Sequence, residues 1–77
     1  MKAVLQRVER ASVTVGANVV GKIGYGLVVF VGVAVADDEA HAKYLADKTA
    51  ELRVFPDAEG KFNLSLLDVR GQALVVS

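Results

Sequence analysis

Apolar and polar positions repeat along this chain with two different periods. Ala11, Val13 and Val15 fall on one side of an extended segment, and Ser12 and Thr14 on the other. That period of two is the mark of a half-buried strand. Residues 1–10 alternate more weakly: Ala3 and Leu5 share a side with Arg7 and Glu9, while Val4 and Val8 share the other with Gln6. They predict a strand with polar groups on both faces near its end. Gly16-Ala17-Asn18 predicts a turn, because Gly and Asn both accept positive φ. Extended structure resumes over residues 19–23 and breaks again at Gly24-Tyr25-Gly26. Residues 27–35 form an apolar run interrupted only by Gly32, the pattern of a central strand covered on both faces.

The period then changes. Ala42, Leu45, Thr49 and Leu52 recur every three or four residues and make one apolar helical stripe, with Lys43, Asp47, Lys48 and Glu51 pointing elsewhere. Asp37, Asp38 and Glu39 stand where a helix start offers free N–H groups and positive dipole charge. A helix is therefore expected over about residues 38–52. Arg53-Val54-Phe55 and residues 61–66 flank a turn with Pro56 early and Gly60 late, and together predict a hairpin. Residues 73–76 read as a last strand. The expected fold is α+β: mostly antiparallel β-sheet, barrel-like, with one helix packed on it, in the order β-β-β-α-β-β-β. Residues 1–77 make one domain, expected to be partial because the pattern stops inside an apolar strand.

Composition narrows the classes. Apolar residues are 53% of the chain, fifteen of them Val and eleven Ala, which excludes disorder and favours strands. The longest apolar stretch is far shorter than the roughly 20 residues of a membrane helix. Arg7, Glu9 and Arg10 interrupt the N-terminal segment before a signal-peptide core forms. Nine basic and nine acidic residues balance to zero net charge, against a strongly basic nucleic-acid tail or a polybasic membrane patch. With no Cys and one His, disulfides, a thiol nucleophile and a structural zinc site drop out. The chain is expected to be soluble and cytoplasmic.

Few side chains offer chemistry. His41, alone in the first helical turn, reads as an exposed helical His without a partner. Gly21, Gly24 and Gly26 precede a strand, whereas a phosphate-binding loop runs from strand into helix, so they read as a turn. Asp57 and Glu59 sit in a turn with nothing to separate their pKa values. Arg7 lies on an otherwise apolar strand face. Its fork either reaches solvent or clamps a phosphate, a carboxylate or backbone carbonyls. Ser77 follows the last strand, where functional groups gather, but no base accompanies it.

Several segments taken together resemble a known family. Val4-Leu5-Gln6-Arg7-Val8 and Arg10-Ala11-Ser12-Val13-Thr14-Val15 resemble the N-terminal strands of D-aminoacyl-tRNA deacylases. Ile23-Gly24-x-Gly26-Leu27-Val28-Val29 fits the next strand pair. Arg53-Val54-Phe55-x-Asp57-x-x-Gly60-Lys61-x-Asn63-x-Ser65 is similar to the family's hairpin. Leu74-Val75-Val76-Ser77 matches the strand leading into its Ser-Gln-x-Thr motif. That motif begins at Ser77 and its other positions are absent, as is the family's Gly–cis-Pro motif. The resemblance thus covers the N-terminal half of such an enzyme.

The resemblance implies hydrolysis of the ester between a D-amino acid, or glycine, and the terminal adenosine of tRNA, a proofreading step in translation. It implies a homodimer in which the Gly–cis-Pro of one subunit enters the other's pocket and rejects L side chains sterically. It places Ser77 at the pocket around the adenosine and scissile ester as the catalytic position. Arg7 would hold the Gly–cis-Pro loop or the nearby substrate, with Gln6 as a weaker neighbour. No metal or cofactor is implied, and neither DNA nor membrane is an expected partner. The 77 residues alone are expected to be inactive. The alternative is a non-enzymatic β-rich domain that dimerises or binds a ligand, or an inactive truncated relative.

Overall fold

A computed structural model describes all of residues 1–77. Its elements are β1 (Lys2–Val8), β2 (Ala11–Val15), β3 (Asn18–Ile23), β4 (Gly26–Gly32), α1 (Glu39–Glu51), β5 (Phe55–Pro56), β6 (Phe62–Leu64) and β7 (Gln72–Val76). The α+β class and the single helix are as expected. Four strands precede the helix, one more than the expected order has. The 1–10 and 11–15 segments are separate strands in separate sheets.

β4 is the centre. β1 pairs with it antiparallel from Lys2↔Gly32 to Val8↔Gly26, and β7 pairs with its other edge in parallel from Gly26↔Gln72 to Phe30↔Val76. β2 and β3 form one hairpin, with a register shift at Val13/Thr14, and β5 and β6 form another. Three of the four pairings are antiparallel. The parallel one requires a crossover connection, and α1 lies within it.

Strand alternation divides the central sheet into two faces. Ala3, Leu5, Leu27, Val29, Ala73 and Val75 lie on the inner face by register. Against its Leu27 end pack Phe55 and Leu66, and this cluster of Leu27, Val29, Phe55 and Leu66 is the hydrophobic core. Phe55 is fully buried and meets the Tyr25 ring edge-on, with centroids 5.1 Å apart. The hairpin thus contributes its anchor to the core.

The expectation of a central strand over 27–35 with both faces covered is corrected. Leu27, Val28 and Val29 are buried, but Phe30 is exposed and the strand ends at Gly32. Beyond Gly32 there is no residue of β1 left to pair with, since Lys2 is the last partner. Val33 and Val35 therefore stand in the open. The helix stripe is only partly used. Thr49 is buried and Leu45 half-buried, while Ala42 and Leu52 remain exposed.

The helix ends are as the sequence suggests. Asp38 is the N-cap: its carboxylate accepts the His41 backbone N–H at 3.2 Å, and His41 Nδ1 accepts the Asp38 N–H at 3.2 Å. This reciprocal pair satisfies two donors of the first turn. On the solvated face, Lys43 and Asp47 pair at 2.6 Å.

Two tight turns set the rest. Gly60 closes the β5–β6 hairpin at φ 79°, a left-handed conformation that costs glycine nothing. The Asp57 carboxylate caps the same turn by accepting the Glu59 and Lys61 N–H groups at 2.8 and 3.1 Å. In the turn before β7, Asp68 accepts the Ser65 N–H at 2.8 Å and Ser65 Oγ accepts the Asp68 N–H at 3.1 Å.

Gly26 marks the closest approach of β4 to β7. A Cβ at this position would fall on the Gln72 carbonyl, whereas one at Gly32 would meet nothing within 4 Å. Gly26→Ala is therefore expected to break the β4–β7 pairing and destabilise by at least the roughly 1–3 kcal/mol typical of core overpacking. Gly32→Ala should be close to neutral. Urea unfolding followed by circular dichroism compares the two, and equal midpoints would contradict the close approach.

Hydrogen bonds from Ser65, its backbone N–H first and its hydroxyl second, hold the Asp68 carboxyl below its ordinary value of 3.8. A folded value below the unfolded one gives stability that is present above 3.8 and disappears as pH falls through the lowered folded value. Unfolding midpoints measured between about pH 5 and pH 2 should fall less steeply for Asp68→Asn than for the parent chain.

Candidate functional site

Arg7 ends the inner face of β1, opposite Leu27. The residues beyond it belong to the β5–β6 hairpin, which covers this end of the sheet. Arg7 Nη1 donates to the Val54 carbonyl at 2.6 Å, and the guanidinium carbon lies 4.9 Å from the centroid of the Phe62 ring. The open choice between solvent and clamp is thus resolved in favour of a clamp on backbone. The fork pins the end of β1 to the hairpin. One hydrogen bond and one ring face leave its other N–H groups available to a further acceptor.

Gln6 points to the opposite face, exposed and opposite Val28. It shares no face with Arg7 because neighbours along a strand alternate. Ser77 follows β7 and is exposed. With Lys2, Val4, Phe30, Gly32 and Val76 it lines a shallow cleft of about 320 Å³.

The register separates the two principal site residues. Arg7 is level with Leu27 of β4 and Ala73 of β7, while Ser77 lies past Val76, which is level with Phe30. Four steps of about 3.3 Å along the sheet and two strand spacings of about 4.8 Å put their backbones roughly 16 Å apart. Within one chain, Arg7 and Ser77 do not share a pocket.

The other chemical candidates are occupied structurally. His41 completes the helix cap and its Nδ1 lies 3.1 Å from Asp38 Oδ1 and 3.7 Å from Asp37 Oδ1. Asp37 forms an ion pair with the Met1 ammonium at 2.6 Å and accepts the Ala34 N–H at 2.7 Å. The ammonium first, and the Ala34 N–H second, hold its carboxyl below the ordinary value. Asp57 and Glu59 lie in the capped turn already described. Of the three glycines, Gly21 lies within β3 and Gly26 opens β4; Gly24 lies between the two strands, and its N–H donates to Gln72 Oε1 at 2.6 Å. No group of three or more His, Asp or Glu side chains converges as metal ligands would.

Phe62 could not be read as a partner of Arg7 beforehand, since the two are far apart along the chain. The one available signal was Phe62's place as an apolar residue opposite Pro56 in a short hairpin.

A family model described as D-Tyr-tRNA(Tyr) deacylase matches residues 4–77, nearly the whole chain. The chain belongs to the D-Tyr-tRNA(Tyr) deacylase family. A D-aminoacyl-tRNA deacylase of Roseiflexus sp. (strain RS-1) is 62% identical over 77 residues, which are all of this chain and 50% of that protein. One from Dehalococcoides mccartyi (strain ATCC BAA-2266 / KCTC 15142 / 195) is 60% identical over the same span, again 50% of its length. Among solved structures, the c-Myc DNA Unwinding Element Binding Protein superposes with a TM-score of 0.93 at 42% identity, over all of this chain and 52% of that one. The chain spans about half the length of the curated relatives it matches. Arg7 and Ser77 both lie within the matched residues.

The Arg7 clamp is measurable in the chain itself. Arg7→Ala removes an exposed cation–π contact of about 0.5–1 kcal/mol and a hydrogen bond of about 0.5–1.5 kcal/mol. A loss of stability of about 1–2 kcal/mol is expected, with a smaller loss for Arg7→Lys, whose ammonium lacks the planar fork. A double-mutant cycle with Phe62→Ala should show coupling between the two sites, and strict additivity would refute the stacked pair.

Proposed function

We propose that the full-length protein carrying this chain hydrolyses the ester linking a D-amino acid, or glycine, to the terminal adenosine of tRNA, and so removes mischarged residues before translation. The observation that carries this reading is the match in order along the whole chain to deacylases at about 60% identity. An ester next to a ribose 2′-OH can be cleaved with the substrate's own hydroxyl positioning or activating water, so the protein supplies placement and exclusion. In this reading Ser77 lies at the adenosine and scissile ester as the catalytic position. Arg7 uses its remaining N–H groups to hold the loop that rejects L side chains; Gln6, the weaker candidate, faces the other side of β1 and would meet substrate only apart from Arg7.

Two copies of the protein complete the pocket. Arg7 and Ser77, roughly 16 Å apart along one protomer, would contact different parts of the substrate, and the loop that rejects L side chains would come from the second subunit. The homodimer is thus part of the proposed function, as are aminoacyl-tRNA as substrate and the cytoplasm as the place where it is met. No helix of the chain is long and apolar enough to cross a membrane. With zero net charge, binding to the acceptor end would rest on local contacts rather than on a basic surface.

The decisive experiment joins residues 1–77 to the remaining half of the Roseiflexus sp. relative and incubates the product with D-Tyr-tRNA and L-Tyr-tRNA. Release of D-Tyr with L-Tyr-tRNA spared is expected. Equal rates on both, or none on either, would overturn the assignment.

A further inference from the structure

Lys2 is the last residue of β1 to pair with β4, opposite Gly32, so Met1 lies just past the end of β4. The chain that leaves β4 there turns through residues 33–38 into α1. In this turn the Asp37 carboxylate meets the Met1 ammonium at 2.6 Å. The same oxygen, Oδ2, accepts the Ala34 N–H at 2.7 Å, and the Asp37 N–H donates back to the Ala34 carbonyl at 3.0 Å. From α1, His41 Nδ1 stands 3.7 Å from the other oxygen, Oδ1, and 3.1 Å from the carboxylate of the N-cap Asp38. One carboxylate thus fastens together the start of β1, the β4–α1 turn and the first turn of the helix.

Burial decides what this ion pair is worth. The Met1 and Asp37 side chains are 12% and 8% exposed. The Lys43–Asp47 pair on α1 has the same length, 2.6 Å, but its side chains are 77% and 56% exposed. A pair in open water contributes little, because it is screened and two long side chains must be held still. A carboxylate shielded from water depends on its cation, since removing one partner leaves a charge uncompensated. The Met1 ammonium is the largest of the causes that hold the Asp37 carboxyl below its ordinary value of 3.8. Met1 also borders the apolar cleft of about 420 Å³ between α1 and the sheet, so its backbone nitrogen and its side chain are both engaged.

We propose that the Met1 α-amine is a modification-sensitive site, and that its acylation unfastens the β4–α1 turn from the start of β1. The ammonium first gives up a proton. The nitrogen then bonds the acyl carbon of a thioester donor while the C–S bond breaks, and its second hydrogen leaves with the thiol. What remains is one neutral amide N–H where a cation stood. The new carbon also needs a place about 1.3 Å from a nitrogen already in contact with Asp37. Asp37 keeps the Ala34 N–H but loses its charge partner. The unfolded chain loses no such contact, so the whole effect falls on the folded state. A peptide bond to a preceding residue would neutralise the nitrogen in the same way.

Residues 1–77 joined to the remaining half of the Roseiflexus sp. relative, beginning at Met1, provide the test. The protein is made with a free amine and, by co-expression with an Nα-acetyltransferase, in an acetylated form checked by mass. Acetylation should raise the unfolding equilibrium constant about tenfold. In Asp37→Asn, which has no carboxylate to lose its partner, acetylation should change that constant by no more than about twofold. Lys43→Gln breaks the exposed pair of equal length and should also stay within about twofold. In the acetylated parent, the Ala34 amide should exchange with solvent faster, and the Asp37 carboxyl, followed by carbon NMR, should titrate closer to 3.8. An acetylated parent as stable as the free one would overturn the proposal, as would equal losses in the parent and in Asp37→Asn. Should Asp37→Asn fail to fold, unchanged Ala34 exchange and Asp37 titration in the acetylated parent would overturn it by themselves.

Discussion

Everything in this chain is arranged around one strand with two paired edges. β4 gives its first edge to β1 and its second to β7, so its backbone is satisfied on both sides while its neighbours keep a free edge each. The pairing with β7 tolerates no side chain at Gly26, because the Gln72 backbone occupies the space a Cβ would need. The Gln72 amide then reaches back to the Gly24 N–H and fixes the entry of β4. Once this junction is set, Leu27 and Val29 have a fixed place on the inner face, and Phe55 has a fixed hole to fill. Burying a side chain of that size is worth about 1.5–3 kcal/mol, a large share of what a small core can supply.

The same strand decides where the chemistry can be. β1 runs antiparallel to β4 and β7 runs parallel to it, so the end of β1 and the end of β7 lie at opposite ends of the sheet. Arg7 and Ser77 are both strand-end residues, and the topology forces them apart. Their separation is a consequence of pairing directions and would survive any rearrangement of side chains. A site that used both would have to span that distance, so strand direction, rather than any one catalytic group, sets the span of the proposed pocket.

Much of this was legible in the sequence, and what was not has a common cause. The helix was readable to within a residue because its signals are local: the Asp38 cap, the four-residue stripe and the loss of pattern after Leu52. The turn at Gly60 and the strand break at Gly24–Gly26 were readable for the same reason. The end of β4 was not, since residues 33–35 are as apolar as those before them and only the lack of a partner in β1 stops the strand. Nor was the parallel pairing of β7, because a short apolar segment carries no sign of direction. Of the site, Arg7 could be singled out as a charge on an apolar face. Its partners Val54 and Phe62 could not, because a contact across more than forty residues leaves no periodicity behind.

The stripe on α1 shows how a correct local reading can still mislead about packing. Ala42, Leu45, Thr49 and Leu52 do define one side of the helix, yet only Thr49 is buried. A helix opposite a three-stranded sheet would ordinarily bury its whole stripe. Here the β5–β6 hairpin and the turn before β7 already occupy the Leu27 end of the inner face, with Phe55 and Leu66 in contact with the strand. The helix is displaced towards β1, and the floor beneath its Ala46 side consists of Ala73 and Val75 without a cover. The hydrophobic effect acts on area and has no preference for which element provides it. A face left bare by one helix is therefore apolar surface open to any cover, and the pattern that predicted α1 also measures how much of it there is.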